Sequence, residues 1–300
     1  MSKLPAKIIK IRTITMKADI MWFGSTDSTN EEAKRHISDI DNLSVLSALE
    51  QTAGRGQRGN QWHSAPGENL LFSIVLKYRK DRMRSYALSP VRACDQFVIS
   101  QTASLAVTDF LSGYGIRAKI KWPNDIYVGD EKICGILVEH SIRGEWLSHS
   151  IIGIGLNINQ RNFDVNLFNP TSISLQTGLS YDIRESLDDF MDIFTAYLKR
   201  YLNINGGYLK LRKMYLSQLW RKDLEAGFID YTTLPTGHLE GPMNIRPKND
   251  PDSDINTQEH SGKVFPGIIR GLASTGNLLV EDLSTGLTRE FGFKEIGYIL

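Results

Sequence analysis

The sequence predicts an α+β protein with a mixed, mainly antiparallel sheet, helices on one face of that sheet, and a smaller β domain at the C-terminal end. Three observations predict this class. Strand-like runs between residues 116 and 157 follow one another through short turns, which favours antiparallel pairing. Amphipathic helical patterns flank these runs. After residue 262 only short β runs remain, with glycines between or beside them, as in a small barrel.

The chain has 300 residues, which is about two domains at ~150 residues per domain. We predict a larger domain over residues 1–225 and a smaller one over 226–300, with a polar, proline-rich insertion at about 241–262. Strands are predicted at 20–26, 45–51, 69–77, 116–122, 125–128, 132–140 and 146–157, then at 263–272, 277–282 and 287–291. Helices are predicted at 28–37, where Ser28 and Glu31 fit a capping box, and at 90–111, 184–202 and 207–223.

Composition excludes several classes of protein. Lys and Arg number 35 and Asp and Glu 34, so bulk charge does not favour binding to nucleic acid or membrane. No run approaches the ~18 apolar residues of a membrane helix, and no secretory signal is visible, so we expect a cytoplasmic protein. Two cysteines, Cys94 and Cys134, exclude a disulfide scaffold and a cysteine-based zinc cluster. We expect both thiols to be reduced and buried.

A glycine-rich loop joins the second and third predicted strands. Gly54, Gly56 and Gly59 match the dinucleotide pattern G-x-G-x-x-G, but that pattern requires a helix that opens within it. Here the loop runs into another strand, and the Gly-Lys-Ser/Thr of a phosphate loop is absent. What remains is a flexible loop with two arginines, Arg55 and Arg58, suited to a carboxylate or phosphate. Taken alone, it is equally well a solvated surface loop.

Three further motifs follow the loop: residues 121–125 (Lys-Trp-Pro-Asn-Asp), 132–139 (Lys-Ile-Cys-Gly-Ile-Leu-Val-Glu) and 153–157 (Gly-Ile-Gly-Leu-Asn). Each alone has a structural explanation, such as a strand end, an Asx-turn or a bulge. Together with Asp-Ser-Thr-Asn at 27–30 and Gln51 to Gly59 followed by Trp62, the ordered set resembles the biotin–protein ligases. The resemblance covers roughly residues 20–160 and is weaker beyond them.

The resemblance implies a catalytic domain similar to class II synthetases and an SH3-like C-terminal barrel. It implies a two-step reaction with ATP, Mg²⁺ and biotin. The biotin carboxylate attacks the α-phosphorus of ATP to give biotinyl-5′-AMP and pyrophosphate. A lysine of a biotin carboxyl carrier protein domain then attacks the mixed anhydride. Joining two anions needs cations and positioning rather than a nucleophilic side chain, which fits the absence of a Ser-His-Asp array.

The resemblance also assigns residues, motif by motif. Lys132 and Arg55 are the expected catalytic residues. The expected biotin-binding residues are Ser28, Thr29, Asn30, Gln51, Arg55, Gly56, Gln57, Lys132 and Gly135. The expected nucleotide-binding residues are Arg58, Trp62, Lys121, Asn124, Asp125 and Asn157, with Asp125 or Asn157 as candidate metal ligands. For Trp62 and Trp122, packing in the core is nearly as good an explanation.

The sequence departs from the family pattern at two points. The family loop commonly reads Gly-Arg-Gly-Arg-Arg-Gly-Arg, whereas this chain has Gln57 and Asn60. About twenty residues precede the first motif, too few for the helix-turn-helix of some members, so we expect no binding to nucleic acid. A lipoate or octanoate ligase and a non-catalytic biotin-binding regulator remain as alternatives. An exposed sheet edge is expected to receive the carrier or to form a homodimer.

Overall fold

The computed structural model describes residues 18–78, 88–202, 207–232, 244–245 and 262–299. Its first sheet has seven strands in the order β1-β2-β3-β7-β6-β5-β4, and of its six strand pairs the β1–β2 pair alone is parallel. The strands are β1 (Asp19–Phe23), β2 (Ser44–Ala48), β3 (Leu70–Lys77), β4 (Ala118–Lys121), β5 (Asp125–Val128), β6 (Glu131–Arg143) and β7 (Trp146–Leu156). The predicted α+β class with a mixed sheet is confirmed.

Helices cover this sheet on both faces, because its central strands are apolar on both. The main core contains Ile74 and Ile152 and the buried sides of α2 (Phe97–Gly113) and α4 (Ile183–Tyr197). The neighbouring strand residues point the opposite way and form a second cluster with Ala33 of α1 (Thr29–Arg35). The prediction that all helices lie on one face is therefore wrong for α1.

The helices form where apolar residues recur at helical spacing, and a side chain caps the start of α4. In α4 the buried residues Leu187, Phe190 and Phe194 recur every three or four positions. The Asp182 side chain caps this helix by accepting hydrogen bonds from the N–H groups of the second and third residues after it. A π-helical turn (Leu198–Leu202) follows. The remaining helices are α3 (Ile173–Thr177), which the sequence did not predict, and α5 (Gly207–Gln218).

A second sheet has six strands in the order β12-β11-β10-β8-β13-β9. They are β8 (Glu225–Asp230), β9 (Asn244–Ile245), β10 (Lys263–Leu272), β11 (Leu278–Asp282), β12 (Leu287–Phe291) and β13 (Ile296–Ile299), and only the β13–β9 pair is parallel. Most of the predicted insertion at 241–262 lies outside the described residues. The two sheets meet at aromatic side chains, where the Trp122 Nε1 donates to the Gly276 carbonyl at 3.0 Å.

Three local predictions have different outcomes. Ser28 is the N-cap of α1, but it makes no side-chain capping hydrogen bond, so the reciprocal capping box does not form. Its N–H instead donates to Asp27 at 2.7 Å, while Glu31 pairs with Lys34 and Arg55. Cys134 is buried as expected, whereas Cys94 is exposed. Within the described residues, no helix is long and apolar enough to cross a membrane.

Candidate active site

A cavity of about 220 Å³ lies on the face of the first sheet that α1 covers only in part. Of the predicted site residues, the following line it: Ser28, Thr29, Asn30, Gln51, Arg55, Gly56, Gln57, Trp62, Asp125, Lys132 and Gly135. Its other wall residues are Asn60, Gln61, Ile136, Leu137, Gly153, Ile154, Gly155 and Phe168. The motifs therefore meet in space, although they span more than one hundred positions of the chain.

Glycines on β6 and β7 let Trp62 and Asn30 pack directly against the sheet at the floor of this cavity. A Cβ atom on Gly155 would lie 2.4 Å from the Trp62 ring, and one on Gly135 would lie 2.9 Å from it. A Cβ atom on Gly153 would lie 2.4 Å from Asn30 Oδ1. These separations are too short for any real side chain, so other residues at these positions would displace Trp62 or Asn30 from the sheet.

Neutral donors and acceptors line one end of the cavity. The Thr29 N–H donates to Gln51 Oε1 at 2.8 Å, and the Thr29 hydroxyl lies 3.2 Å from the same oxygen. The Ser73 hydroxyl lies 2.8 Å from Thr29 Oγ1 and 2.6 Å from Asn30 Oδ1. Asn30 donates in turn to Glu139 at 2.8 Å. Because the network fixes the side chains at this end, they can meet a neutral polar ligand without reorganising.

Ser28 sits at the same end with its hydroxyl uncommitted to the helix. The side chain is buried, yet it lines the cavity and makes no capping bond. Asp27 satisfies the Ser28 N–H, and hydrogen bonds from Arg35 and Ser28 hold the pKa of the Asp27 carboxyl well below its usual range. A hydroxyl that donates once and accepts twice is therefore available to a ligand.

A cation and a carboxylate mark the other end. The Lys132 Nζ lies 2.9 Å from Asp125 Oδ1 and 5.6 Å from the centre of the Trp62 ring. The side chains of Lys132 and Asp125 keep 30% and 20% of their exposure, so the pair faces the cavity rather than the core. The Trp62 Nε1 atom is buried without a hydrogen-bond partner. An anionic group that enters here would meet a fixed ammonium.

The glycine-rich loop folds back on itself above the cavity. The Trp62 N–H donates to the Gly54 carbonyl at 2.9 Å, and the Gly56 N–H donates to the Asn60 carbonyl at 2.7 Å. A short 3₁₀ turn, Gln57–Gly59, forms the tip. The loop therefore brings Arg55 and Gln57 to the mouth of the cavity. The side chain of Arg58 lies outside the described part of the structure, so its predicted role stays a prediction.

Asn124 and Asn157 flank the lysine end without lining the cavity. The Asn124 amide is buried and donates to the Ile136 carbonyl. The Asn157 amide donates to the Thr171 carbonyl at 2.8 Å, which leaves its Oδ1 atom buried with no partner. The amide oxygen of Asn157 and the carboxylate of Asp125 are the hard oxygen donors that Mg²⁺ prefers. The donor set fits that ion, although no cluster of three His, Cys, Asp or Glu side chains occurs among the described residues.

Lys121 does not line the cavity, and its predicted contact with the nucleotide stays a prediction. Its side chain is 1% exposed, and its Nζ lies 4.7 to 5.6 Å from the ring centres of Tyr127, Trp220 and Tyr298. Burial in this aromatic cage lowers the pKa of the Lys121 ammonium to about 7. The Lys121 side chain points toward Tyr298 of the second sheet, and the Trp122 ring packs 5.1 Å from the ring centre of Phe293. Lys121 therefore joins the two sheets and does not line the cavity.

Sequence reasoning missed Ser73 and Glu139, two residues that hold the Asn30 side chain in place. Ser73 is the single polar residue in the apolar run of β3, and a buried hydroxyl in such a run is itself a signal of a polar site. Glu139 ends a motif whose alternation places it on the same face as Gly135 and Leu137. Phe168 also lines the cavity, but it comes from a loop without periodicity, and no pattern indicates it.

Together the fold and the cavity define a small-molecule site of an α+β protein, with a neutral polar end, an apolar glycine floor and a cationic end. Residues 22–157 match the sequence profile of the biotin/lipoate A/B protein ligase family. The chain is 31% identical over 206 residues to the biotin–[acetyl-CoA-carboxylase] ligase of Paracoccus denitrificans, and the match covers 65% of this chain and 79% of that relative. The chain belongs to this family of ligases.

Two further comparisons extend this result. The chain is 33% identical over 198 residues to the bifunctional ligase/repressor BirA of Bacillus subtilis, with 64% of this chain and 56% of that relative covered. The chain thus matches only slightly more than half of the longer relative. Its fold is similar to that of a biotin protein ligase from Aquifex aeolicus in complex with biotin and ATP, with a TM-score of 0.66, 22% identity, and 93% and 97% of the two chains covered.

Proposed function

We propose that this chain is an ATP-dependent biotin–protein ligase. It activates biotin to biotinyl-5′-AMP with release of pyrophosphate and then transfers biotin to a lysine of a biotin carboxyl carrier protein domain. The observation that carries the proposal is the polarity of the cavity. A neutral network around Gln51 and Thr29 lies at one end, and the Lys132 ammonium lies at the other. Biotin has the matching polarity, with a neutral cyclic urea at one end and a carboxylate at the other.

The neutral end would hold the ureido ring. Ser28, Thr29, Asn30 and Gln51 offer hydroxyl and amide groups, and a charged residue would be poorly matched to a neutral urea. Gly135, Gly153 and Gly155 let Trp62 and Asn30 pack against the sheet, so that these two side chains would flank the fused rings. In this arrangement the valerate chain of biotin points along β6 toward Lys132.

Residues at the cationic end would promote the reaction by their positive charge and by positioning the reacting groups. The carboxylate oxygen of biotin attacks the α-phosphorus of ATP, the bond from that phosphorus to the bridging oxygen breaks, and pyrophosphate leaves. Lys132 donates hydrogen bonds to the oxygens on which negative charge develops, an interaction stronger in the transition state than in the ground state. Trp62 and the glycine-rich loop exclude water from the labile anhydride.

Asp125 and Asn157 are the proposed ligands of Mg²⁺. Within the described part of the chain the Asn157 Oδ1 atom has no hydrogen-bond partner, and Asp125 lines the cavity. The ion when bound would neutralise charge on the phosphates of ATP. One carboxylate, one amide oxygen and substrate phosphates form a typical incomplete protein site for this ion.

The carrier domain would dock on the open edge of β6. Strand β5 pairs with β6 only as far as Gly135, and the Asn124 amide then covers the Ile136 carbonyl. Beyond that point Val138 and His140 direct their backbone groups to the side that no described strand covers. This edge begins beside the cavity wall, so a strand added there would bring its lysine near the anhydride. A second copy of this chain is the alternative occupant.

The proposed ligase has two domains and is located in the cytoplasm. We propose a catalytic domain over residues 1–225 and an SH3-like barrel over 226–300, supported by the start of the second sheet at Glu225. A cytoplasmic location is consistent with the reduced Cys94 and Cys134 expected from the sequence. An electrophoretic shift assay with duplex DNA tests the prediction that the chain binds no nucleic acid.

The experiment that tests the function is pyrophosphate–ATP exchange with purified protein and Mg²⁺. It is run with biotin, with lipoate and with no acid. Exchange that requires biotin supports the proposal. Exchange with lipoate alone would contradict the role assigned to the neutral end of the cavity, and no exchange with either acid would contradict the adenylation step itself. Biotinylation of a purified carrier domain then tests the second step.

A further inference from the structure

Arg55, the arginine of the glycine-rich loop, is bound by carboxylates of the protein itself. Its guanidinium contacts Glu31 of α1 and lies 3.8 Å from Glu139 of β6. Lys34 lies 2.8 Å from Glu31 and 2.9 Å from Glu139. These four side chains, two acidic and two basic, are called here the charge cluster. The Arg55 side chain is 47% exposed, so it can leave this cluster without breaking a packed core.

The charge cluster lies far from the Lys132–Asp125 pair, at which the reaction is proposed to occur. The Lys132 side chain reaches over Gly135, and Glu139 follows Gly135 by four residues on β6. At ~3.3 Å per strand residue this separation is roughly 13 Å. Arg55 is therefore held near the neutral end, away from the Lys132–Asp125 pair. An arginine that is to meet a carboxylate or phosphate must first exchange Glu31 and Glu139 for the ligand.

Lys34 lowers the free-energy cost of moving Arg55 from Glu31 and Glu139 to the ligand. It contacts both carboxylates of the charge cluster and comes from α1 rather than from the loop, so it stays when Arg55 leaves. Burial raises the pKa of Glu139, but hydrogen bonds from Lys34 and Asn30 more than offset this, and the pKa lies below its ordinary value. Both carboxylates therefore keep an ammonium partner when the arginine leaves.

We propose that Glu31 and Lys34 are positioning residues that set how readily Arg55 engages the ligand. Glu31 holds the guanidinium in the ligand-free enzyme and competes with the ligand's anionic group for it. Lys34 weakens that hold by sharing the same carboxylates. This inference rests on the proposed function, because it takes biotin, with its carboxylate, and the adenylate formed from it as the ligands that draw Arg55 away.

Substitutions of Glu31 and Lys34 should change the affinity for biotin in opposite directions. A purely structural role does not predict opposite changes. In Glu31→Gln the competing charge is lost, and the Kd for biotin, measured by calorimetry, and the KM in pyrophosphate exchange should fall about two- to fivefold, as expected for a half-exposed ion pair. In Lys34→Met, Arg55 alone faces two carboxylates, and both constants should rise by a similar factor. Glu32→Gln is the matched control, because Glu32 pairs with Arg35 and, among the described residues, has no ion pair with the charge cluster. If both variants weaken binding, or neither changes it, the proposal is overturned.

A second readout needs no ligand and separates this inference from the function. Phenylglyoxal modifies accessible guanidinium groups, and mass spectrometry of peptides reports on Arg55 alone. Modification of Arg55 should be severalfold faster in Glu31→Gln and slower in Lys34→Met than in the wild type. Equal rates of Arg55 modification in the wild type and both variants would contradict the proposal that Glu31 holds Arg55 in the ligand-free enzyme. Absence of pyrophosphate exchange in the wild type would contradict the proposed function, whatever the modification rates are.

Discussion

Lys132 Nζ and Asp125 Oδ1 are 2.9 Å apart at the end of the cavity that the Trp62 ring covers. Because Asp125 comes from β5 and Lys132 from β6, the pair fixes the ammonium relative to the sheet. In the proposed function Lys132 would meet the group on which charge develops, and the Asp125 carboxylate would bind a metal ion. Variants at these two positions separate the proposed roles.

We expect Lys132→Met to lower kcat for pyrophosphate exchange about 10²- to 10³-fold, the usual cost of removing one preorganised donor to developing charge. Lys132→Arg keeps the charge and should recover part of the rate. Asp125→Asn should instead raise the Mg²⁺ concentration needed for half-maximal exchange. Unchanged thermal unfolding serves as the control for folding. A Lys132→Met enzyme within threefold of wild type would rule out this role for the lysine.

Gly153→Ala tests the floor of the cavity. The new Cβ atom would lie 2.4 Å from Asn30 Oδ1, whose side chain is held by Ser73 and Glu139. Overpacking of this kind costs about 1–3 kcal/mol, so we expect the Kd for biotin to rise about five- to hundredfold. Gly24→Ala is the matched control, because no atom lies within 4 Å of the position of its Cβ. Equal affinities of the two variants would contradict the assignment of the floor to the ligand.

The class of fold was predictable because periodicity reports which side of an element is buried. The antiparallel order of β4 to β7 follows from runs joined by short turns, and α4 follows from its apolar spacing. The position of α1 was not predictable in this way. Strands that are apolar on both faces show no alternation, so the sequence of β3 does not indicate that two layers of helix cover it.

The candidate site was predictable as a set of motifs, but the contacts of its charged residues were not. The capping box fails at Ser28 because Arg55 and Lys34 compete for Glu31, and one of these competitors is 24 positions away. Lys121 lies beside Asp125 in the motif, yet its cage includes Tyr298, far along the chain. Local patterns identify residue types that suit a chemistry, whereas long-range packing decides which of them reach the ligand.

Gln57→Arg tests whether a neutral side chain at this position lets the intermediate leave. Gln57 lines the cavity at the tip of the loop, where the sequence departs from the arginine of the family pattern that it resembles. A charge-assisted hydrogen bond contributes ~1.5–3 kcal/mol against ~1 for a neutral one. The variant should therefore lose biotinyl-5′-AMP about fivefold more slowly. Thr52→Arg adds the same charge outside the cavity wall and serves as the control. An unchanged rate of loss in Gln57→Arg would refute the hypothesis.

Ile142→Lys tests the docking edge. Ile142 is 52% exposed on the part of β6 that extends past β5. A lysine there would have to be desolvated when another strand pairs with this edge. We expect kcat/KM for transfer to the carrier domain to fall about tenfold, with pyrophosphate exchange unchanged. Leu209→Lys, which replaces an exposed leucine of α5, is the control. Transfer at the wild-type rate would place the carrier on another surface.

Lys121 makes stability depend on pH. Its pKa is about 7 in the folded protein, against an ordinary value of 10.5, because burial among aromatic rings disfavours the ammonium. Between these two values the unfolded chain holds a proton that the folded chain has lost, so the free energy of unfolding rises with pH. The slope from this group is at most about 1.4 kcal/mol per pH unit. Below pH 7 both states are protonated, and the folded state carries the full cost of the buried charge.

Lys121→Met removes this dependence. Its midpoint of urea unfolding should exceed that of the wild type near pH 6.5, where the buried ammonium is most costly, and the difference should shrink as the pH rises to 9. The other buried groups, such as Cys134 and Tyr215, titrate alike in both proteins and cancel in the comparison. Lys119→Met replaces an exposed lysine on the same strand and should leave the slope as in the wild type. If Lys121→Met and the wild type show parallel pH profiles, burial does not destabilise the ammonium, and the three aromatic rings of the cage stabilise its charged form.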